Sequence, residues 1–315
     1  MMLIRGLAFY ARFLLSATQI GFEWRALPPL PKEDWSGKTW LVTGASGGLG
    51  RAISERAAAN GAHVIAAARS AEKLAQLSGV SGVAVEVCDF SLMSDTTALV
   101  QRLIDSNRKI DVLVNNVGSM APSFATTNEG KEVSVATNLL SHFLLTESLL
   151  KARVLNESAT IINMSSGGAY VVPLSLKGLF GSSAEDFDGT MAYAFQKRAQ
   201  IALNDYWRKR HSARFYALHP GWVDTAGVQR SLPLFRSALR AILRDANSGS
   251  DTVMWLAATK PAQETDGMWF DRELRPAHIF DTADGDSVEA LVSALEKELA
   301  GQFSTPQKPQ FKDEL

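Results

Sequence analysis

A tyrosine and a lysine four positions apart form the pair of side chains in this sequence that best suits proton transfer. Tyr193 and Lys197 lie in a stretch with helical character, and their spacing puts both on one face of a helix. A phenol has a pKa of about 10, and a neighbouring ammonium group lowers that pKa because it favours the phenolate. One phenol can then give a proton to a developing alkoxide or take one from an alcohol. We therefore expect Tyr193 to act as a general acid/base beside Lys197.

A serine hydroxyl could complete such a site. Ser166 precedes Tyr193 by 27 positions and ends a predicted strand, where ligand sites open in sheets of the α/β class. Its hydroxyl could hold a substrate oxygen while negative charge develops on that oxygen. The Tyr-x-x-x-Lys spacing is common by chance, so these residues gain significance only from the elements that position them.

Short β-rich runs alternate with helical stretches over residues 38–220 and predict how these side chains are positioned. Strand–helix–strand repetition implies a doubly wound parallel sheet, and continuous apolar runs suit strands covered on both faces. The predicted fold class is α/β: one Rossmann-like doubly wound parallel sheet with an N-terminal helical extension. The predicted strands are Lys38–Val42, His63–Arg69, Val83–Phe90, Ile110–Asn115, Thr160–Met164 and Arg214–His219.

The first predicted strand leads into a run of glycines and then into a helix. Glycines at this point permit a tight turn and let a pyrophosphate approach the helix N-terminus. A lone glycine cluster could be only a turn, but its place after the first strand of the sheet favours a dinucleotide site. The predicted cofactor contacts in this run are Thr43, Gly44, Ser46, Gly48, Leu49 and Gly50.

Two arginines indicate which cofactor such a site would take. In dinucleotide-binding sheets, an Asp or Glu about 20 residues further on bonds the ribose of NAD. This chain has Arg69 at that strand end, followed by Ser70, and Arg51 lies in the first helix. Two guanidinium groups near the ribose suit a 2′-phosphate, so NADP(H) is predicted in preference to NAD(H). The alternative is that both arginines are solvated surface residues.

Two more strand ends supply candidate cofactor contacts. The third strand ends at Asp89 and Phe90, and Asp89 could accept a hydrogen bond from the adenine amino group. The fourth ends at Asn115, Asn116 and Gly118, a small polar turn that would let a cofactor pass close to the backbone. Either segment could instead be a plain turn.

Taken in order, these motifs resemble the short-chain dehydrogenase/reductase family over roughly residues 38–275. The resemblance implies that Tyr193 is the general acid/base and that Lys197 binds the nicotinamide ribose and tunes the tyrosine. It implies that Ser166 orients the substrate and that Asn138 anchors a proton-relay water. It also implies that Pro220, Gly221 and Thr225 line the nicotinamide. The motifs are Thr43-Gly44-x-x-x-Gly48-x-Gly50, Asn115-Asn116-Val117-Gly118, Asn138, Ser166, Tyr193-x-x-x-Lys197 and Pro220-Gly221.

Two details qualify this resemblance. The family usually has Ala where this chain has Val117, so the extra methyl groups crowd the expected cofactor. Of the pair Ser165-Ser166, the second is chosen because the family's serine ends that pair. His142 and His219 are expected to be structural.

Further motifs are similar to dehydrogenase/reductase family member 12 and to the retinol-dehydrogenase-like branch, which generally uses NADP(H) on lipophilic alcohols and carbonyls. The motifs are Ser165-Ser166-Gly167-Gly168, Phe187-Asp188-Gly189-Thr190-Met191 and 219–225. This resemblance implies an NADP(H)-dependent oxidoreductase acting on a lipophilic alcohol or carbonyl. The alternative is a non-catalytic NADP(H)-binding regulatory or scaffold protein of the same fold.

Two apolar segments are candidates for the substrate pocket. The first, Tyr170 to Asp188, is expected to be a loop that covers the substrate. With Trp222 and the second segment, residues 226–245, it could form an apolar pocket. The alternative for each residue is ordinary core or dimer contact. The apolar residues concerned are Val171, Val172, Leu174, Leu176, Leu179, Phe180, Leu232, Leu234, Phe235 and Leu239.

Composition excludes several classes of protein. The 315 residues carry 32 Lys+Arg and 33 Asp+Glu, a net charge of −1 that gives no electrostatic signal for nucleic acid. A hydrophobic content of 46% argues against a disordered chain. The single cysteine, Cys88, cannot form an internal disulfide. No His/Cys/carboxylate cluster has metal-ligand spacing, so no metal site is expected.

The two ends of the chain leave localisation open. Residues 1–35 are predicted as an amphipathic helix and linker, 36–275 as the catalytic domain, and 276–315 as an extension with a helix and polar tail. The first helix could lie on a membrane, pack on its own domain or a second subunit, or be a cleaved signal peptide. Lys312 to Leu315 matches an ER-retention signal, which chance composition could also produce. We expect a cytoplasmic enzyme, possible membrane contact and possible homo-oligomers.

Overall fold

The computed structural model describes residues 12–231 and 233–303. Its centre is one eight-stranded sheet in the order β3-β2-β1-β4-β5-β6-β7-β8. Neighbouring strands are parallel from β3 to β7, and β8 runs antiparallel to β7. The strands are β1 Thr39–Thr43, β2 His63–Ala68, β3 Val83–Val87, β4 Ile110–Asn115, β5 Leu155–Met164, β6 Arg214–Leu218, β7 Gly267–Phe270 and β8 Glu273–Pro276.

The sheet confirms the predicted fold class, and each of the six predicted strands is present. Strand β5 begins at Leu155, earlier than its predicted start at Thr160. The hairpin of β7 and β8 was not predicted. All five residues of β1 are buried, as expected for a strand covered on both faces.

Helices cover both faces of the sheet and form two apolar cores. Helices α4, α5, α7 and α11 contribute to the core on one face, and helices α2, α3 and α10 to the core on the other. The helices are α1 Gln19–Trp24, α2 Gly48–Ala59, α3 Ala71–Ala75, α4 Met93–Asp105, α5 Val133–Lys151, α6 Leu176–Phe180, α7 Gly189–Arg208, α8 Ala226–Ser231, α9 Pro233–Leu239, α10 Ala246–Thr259 and α11 Val288–Glu298.

Helix α5 is long and apolar enough to cross a membrane, and it is the one such helix among the described residues. However, 72% of the apolar stretch of this helix is buried inside the protein. It is therefore a core helix whose apolar side chains pack against the sheet.

The described part of the N-terminal segment is helical, as predicted, but its helix is interrupted at Thr18. Thr18 has an extended backbone, and its hydroxyl caps the short helix α1 by accepting from the amide of Gly21. Gly21 lies so close to the preceding turn that a Cβ would come 2.2 Å from the Leu15 carbonyl oxygen. Arg5, with the rest of residues 1–11, lies outside the described residues, as does the tail at 312–315.

A buried ion pair fastens this segment to the domain. The guanidinium group of Arg244 bonds both carboxylate oxygens of Asp271, at 2.6 and 2.8 Å, and both side chains are almost fully buried. Arg244 also donates to the backbone carbonyls of Ser16 and Thr18. Arg25 reaches Asp271 from the other side at 2.7 Å. The segment is therefore bound to residues that follow β6 and β7.

Several apolar side chains of the segment from Tyr170 to Asp188 pack in the core, and its role as a cover for the substrate stays a prediction. Leu174 and Leu179 are buried in the core beside α7, where Leu176 and Phe180 also pack. Val172 is fully buried. Residues Tyr170 and Val171 pack in a third apolar cluster with the N-terminal segment. Core contact, the alternative that the sequence left open, is what these side chains make.

Candidate active site

The strand order places a ligand site at the carboxyl ends of β1 and β4. The chain runs outward from β1 to β3 and then returns to place β4 on the other side of β1. Ligands bind in the crevice at such a reversal point. The glycine-rich turn, the 115–118 turn and the end of β5 all lie at this edge.

The glycine-rich turn fits the close approach of a phosphate group. Gly44 and Gly48 have positive φ angles of +67° and +53°, a backbone region that favours glycine. A Cβ on Gly48 would meet the Thr225 side chain at 3.3 Å, so the predicted nicotinamide-lining threonine lies directly over the turn. Helix α2 begins at this turn and directs its free backbone N–H groups toward the crevice.

Asn116 and Thr43 hold the two turns together. The Asn116 side chain donates to the Thr43 carbonyl at 2.8 Å, and the Thr43 hydroxyl accepts from the backbone of Asn116 and of Val117 at 3.0 Å each. A Cβ on Gly50 would come 2.6 Å from the Asn116 amide nitrogen. Small residues here are therefore required by packing as well as by any cofactor.

The predicted cofactor contacts differ in what they present to the crevice. Ser46 and Leu49 are half-buried at the turn. The Asn115 side chain is fully buried and bonds Thr146 and Asn163, so only its backbone could face a cofactor. Phe90 is likewise buried in the core. Asp89 is half-buried, and one of its oxygens accepts from the backbone and hydroxyl of Ser91.

The two arginines near the expected ribose site differ in their partners. Arg51 bonds the Glu55 carboxylate at 2.8 Å and the Gln76 side chain at 2.7 Å. Arg69 is exposed at the end of β2, and no described residue forms a hydrogen bond or ion pair with its side chain. Of the two, Arg69 has the freer guanidinium group.

Helix α7 presents Tyr193 and Lys197 together. The Lys197 ammonium nitrogen lies 5.2 Å from the centre of the Tyr193 ring. It donates to the Met164 carbonyl oxygen at 2.7 Å and to the Gln200 side chain at 3.2 Å. A Cβ on Gly118 would lie 3.4 Å from the same nitrogen, so Lys197 lies against the turn after β4.

Burial shifts the pKa values of this pair in opposite directions. Burial lowers the pKa of Lys197 to about 7, because a desolvated ammonium group is costly. Burial raises the pKa of Tyr193 to about 12, because a desolvated phenolate is costly for the same reason. Tyr193 is therefore protonated in the free protein at neutral pH, as a proton donor must be.

The structure separates the two serines that end β5. The Ser165 hydroxyl is buried and donates to the backbone carbonyl of Lys197 at 2.9 Å. Ser166 is half-buried and caps the short helical turn that follows, accepting from Gly168. Ser166 is thus the serine that is open to the crevice.

A π-helical turn in α5, Ala136–Leu140, contains Asn138. Turns of this kind occur often at functional sites. The Asn138 amide donates to the Ser119 carbonyl at 2.6 Å and to the Gln196 side chain at 2.6 Å. Its oxygen accepts from the Ser119 backbone at 2.7 Å. The side chain therefore fastens the turn after β4 and is fully buried.

The sequence analysis missed Gln196 and Gln200, which join this site from α7. Gln196 links Asn138 to Ser134, and Gln200 contacts Lys197 and the Asn138 carbonyl. The signal was present: amide residues at 196, 200 and 204 repeat every four positions along the helix that carries Lys197. Such a stripe marks a buried polar face.

The Pro220-Gly221 turn lies at the end of β6 and is supported by Arg244. Gly221 has a φ of +84°, and a Cβ there would come 2.4 Å from the Arg244 side chain. His219 is buried and stacks on Phe270, and neither ring nitrogen has a hydrogen-bond partner among the described residues. Burial lowers the pKa of His219 to about 3, which suits a structural side chain.

A sequence profile of the short chain dehydrogenase family matches residues 38–233, more than half of the chain. The chain belongs to the short-chain dehydrogenase family. The matched range includes the glycine-rich turn, the 115–118 turn, Ser166, Tyr193 and Lys197.

Relatives within this family agree with the branch that the sequence motifs indicated. Dehydrogenase/reductase SDR family member 12 from Bos taurus is 32% identical over 96% of this chain and 100% of its own length. Retinol dehydrogenase 11 from Mus musculus is 26% identical over 74% of this chain and 77% of its own. A crystal structure of a Mycobacterium paratuberculosis protein aligns with a TM-score of 0.68 at 25% identity, over 87% of this chain and 97% of that protein.

Proteins of the short-chain dehydrogenase family bind a nicotinamide cofactor, and this crevice fits one. The open space above the glycine-rich turn, the helix N-terminus beneath it and Thr225 over Gly48 match a phosphate-to-nicotinamide path. The family and the fold establish an oxidoreductase of the dehydrogenase/reductase type.

Proposed function

We propose that this short-chain dehydrogenase is an NADP(H)-dependent oxidoreductase that interconverts a lipophilic alcohol and its carbonyl compound. The observation that supports the proposal is that the Tyr193–Lys197 pair lies against the end of β5, where Lys197 bonds the Met164 carbonyl two residues before the half-buried Ser166. That arrangement brings a proton donor, a cation and a hydroxyl to one crevice.

The chain's own residues then divide the work of carbonyl reduction. A bound nicotinamide supplies the hydride that adds to the carbonyl carbon. Tyr193 gives its phenolic proton to the carbonyl oxygen, and the Lys197 ammonium stabilises the phenolate that remains. Ser166 holds the substrate oxygen as charge develops. In the reverse direction, the phenolate takes the alcohol proton.

The preference for NADP(H) rests on Arg69. Its guanidinium group is exposed at the end of the second strand and has no partner among the described residues, so it suits a 2′-phosphate. Arg51 would have to exchange its bond with Glu55 or Gln76 to contribute.

The lipophilic substrate class rests on the segment that follows β6. Trp222 and Phe235 make an edge-to-face contact with ring centres 5.2 Å apart, and Leu234 is 85% exposed on the same short helix. The Ser231 hydroxyl donates to the Met120 carbonyl, so α8 reaches across to the loop after β4. Leu232 lies outside the described residues. Relatives named retinol dehydrogenases favour the same class of substrate.

Tyr193→Phe tests the proposal, because it removes the phenolic proton and keeps the ring over Lys197. Purified wild-type protein should consume NADPH with at least one carbonyl compound from an apolar panel, and Tyr193→Phe should lower that rate at least roughly 100-fold. NADPH binding, followed by fluorescence, should survive the substitution. A variant as fast as wild type contradicts the role of Tyr193, and NADPH binding without any turnover would favour the non-catalytic alternative.

We also infer peripheral membrane contact through the N-terminal segment. Four large apolar side chains are exposed there: Leu14, Leu15, Ile20 and Trp24, with Trp24 at 82%. Arg12 is exposed beside them. Apolar side chains with a neighbouring cation suit the boundary between lipid headgroups and acyl chains.

A further inference from the structure

Gln200 has a hydrogen-bond partner for each polar position of its side-chain amide. Its oxygen accepts from the Lys197 ammonium group at 3.2 Å. Its nitrogen lies 2.6 Å from the Asn138 carbonyl oxygen and 3.0 Å from the Nδ1 atom of His142. All of these groups are buried. The amide therefore joins α7 to α5 at the base of the catalytic pair.

The protonation state of His142 fixes the direction of these hydrogen bonds. Its Nε2 atom lies 2.8 Å from the Val117 carbonyl oxygen, which only accepts, so Nε2 carries the proton. Burial lowers the pKa of His142 to about 3, so the ring is neutral and Nδ1 is an acceptor. The Gln200 nitrogen must then donate both of its protons, to Nδ1 and to the Asn138 carbonyl. If the amide were flipped, its oxygen would face two acceptors, the Nδ1 atom of His142 and the Asn138 carbonyl, and neither hydrogen bond could form.

We propose that Gln200 is a positioning residue that links Lys197 directly to the Asn138 carbonyl and to His142, and so occupies with its own amide a carbonyl that a relay water could otherwise bond. A water at that carbonyl could turn and pass protons outward, whereas a fully bonded amide holds its orientation. The consequence is a fixed Lys197. Two of its three protons go to Met164 and Gln200, and the third is left for Tyr193 or a bound ribose.

The titratable groups that face Lys197 are few. Tyr193 comes from its own helix and His142 from α5, while β5 and the turn after β4 present Met164 and Gly118 through backbone. Among the described residues, the Gln200 oxygen is thus one of two acceptors that stabilise the charged form of Lys197. Its removal should make the neutral amine easier to reach.

The proposal rests on the proposed function, so its test has to give a result that does not depend on activity. It therefore measures the protonation of Lys197 directly. Lysine Cε signals of cofactor-free protein are followed by NMR from pH 5 to 9, and Lys197→Met assigns the signal. Gln200→Met keeps the side-chain length and removes the hydrogen bonds. Gln200→Met should lower the pH at the midpoint of the Lys197 titration by about one pH unit, because the charged form loses a hydrogen bond. Asn204→Leu, a buried amide one turn along α7, is the matched control and should leave the midpoint unchanged.

Activity and a second variant complete the test. With an active wild type, Gln200→Met should lower kcat about tenfold at neutral pH while KM changes by less than about threefold. Gln200→Leu, which has no polar side-chain atom, should likewise lower the midpoint, and it decides the question if Gln200→Met does not fold. The same midpoint in wild type and the folded Gln200 variants overturns the proposal, as does an equal shift in Asn204→Leu. A wild type without turnover contradicts the proposed function and leaves the NMR comparison decisive for Gln200.

Discussion

Single side chains at this crevice differ in how far the sequence alone defines them. Tyr193, Lys197 and Ser166 follow from spacing and from the ends of predicted elements, because helical periodicity and strand ends are local properties. For Gln200, the amide stripe on α7 marks a buried polar position, but it does not identify the partners of the side chain. Its partners, Asn138 and His142, lie about 60 positions earlier in the chain, so its role depends on how α5 and α7 pack.

Arg69 is the residue on which the cofactor preference can be tested. Arg69→Ala should weaken NADPH binding about 10- to 100-fold, because a charge-assisted hydrogen bond to phosphate is lost. NADH binding should change by less than about twofold, since NADH lacks the 2′-phosphate. Fluorescence titration with both cofactors gives the two Kd values.

Arg108→Ala, an exposed arginine at the opposite end of the sheet, is the control and should change neither constant. Equal weakening of NADPH and NADH by Arg69→Ala would show that the guanidinium group does not contact the 2′-phosphate.

Strands and helices were predicted best where their apolar pattern is continuous. Six strands were placed from the sequence, whereas β7 and β8 follow a helix, are only four residues each and carry a weak pattern. The break of the N-terminal helix at Thr18 was missed as well. That break depends on a hydroxyl cap and on Gly21 packing against Leu15, which are contacts that periodicity does not encode.

The glycine-rich turn offers a matched pair of substitutions at the scale of one element. Gly50→Ala would bring a Cβ to 2.4 Å from the Gly44 carbonyl oxygen, so β1 and α2 would have to separate. We expect a loss of about 1–3 kcal/mol in the free energy of unfolding. Gly47→Ala meets no atom within 4 Å and should change the free energy by less than about 0.5 kcal/mol.

Urea denaturation of both variants without cofactor measures the difference. Equal stability of Gly50→Ala and Gly47→Ala would mean that α2 is not packed as tightly on β1 as these distances indicate.

Two buried histidines give the whole molecule a dependence on acid. Burial lowers the pKa of His142 and of His219 to about 3, below the ordinary imidazole value of 6.5. The unfolded chain therefore binds two more protons than the folded chain between pH 6.5 and 3, and stability falls as the pH falls through that window. From pH 8 to 5 each histidine should cost about 2 kcal/mol.

His219→Phe tests this dependence, because a phenyl ring can keep the stack on Phe270 and the His219 ring nitrogens have no hydrogen-bond partner among the described residues. The variant should lose about 2 kcal/mol less than wild type between pH 8 and 5, as measured by urea denaturation at both pH values. His211→Asn, at an exposed position, should behave like wild type. If His219→Phe lost as much free energy of unfolding as wild type between pH 8 and 5, His219 would not contribute to the acid sensitivity.

The proposed membrane contact is also tested on the whole molecule. Removing the N-terminal segment would expose the core, because Phe13 and Ala17 are buried. The double variant Leu15→Ser/Trp24→Ser changes only exposed side chains and should reduce flotation with vesicles of phosphatidylcholine and phosphatidylserine at least about fivefold. Val87→Ser, exposed on the edge strand, is the control. Equal flotation of all three proteins contradicts membrane contact through this surface.

The ion pair between Arg244 and Asp271 has a consequence for the order of folding during synthesis. Ser16 and Thr18 leave the ribosome before Arg244, which is 228 positions after Ser16. Until Arg244 is synthesised, their carbonyl groups lack the side chain that donates to them. At about 5–20 residues per second, that interval is roughly ten to forty-five seconds. Over this time Phe13 also lacks Phe270, the ring against which it packs edge-to-face and which is made after Arg244. The first described segment of the chain is therefore among the last to be fixed, and chaperones or a lipid surface can reach it before the domain does.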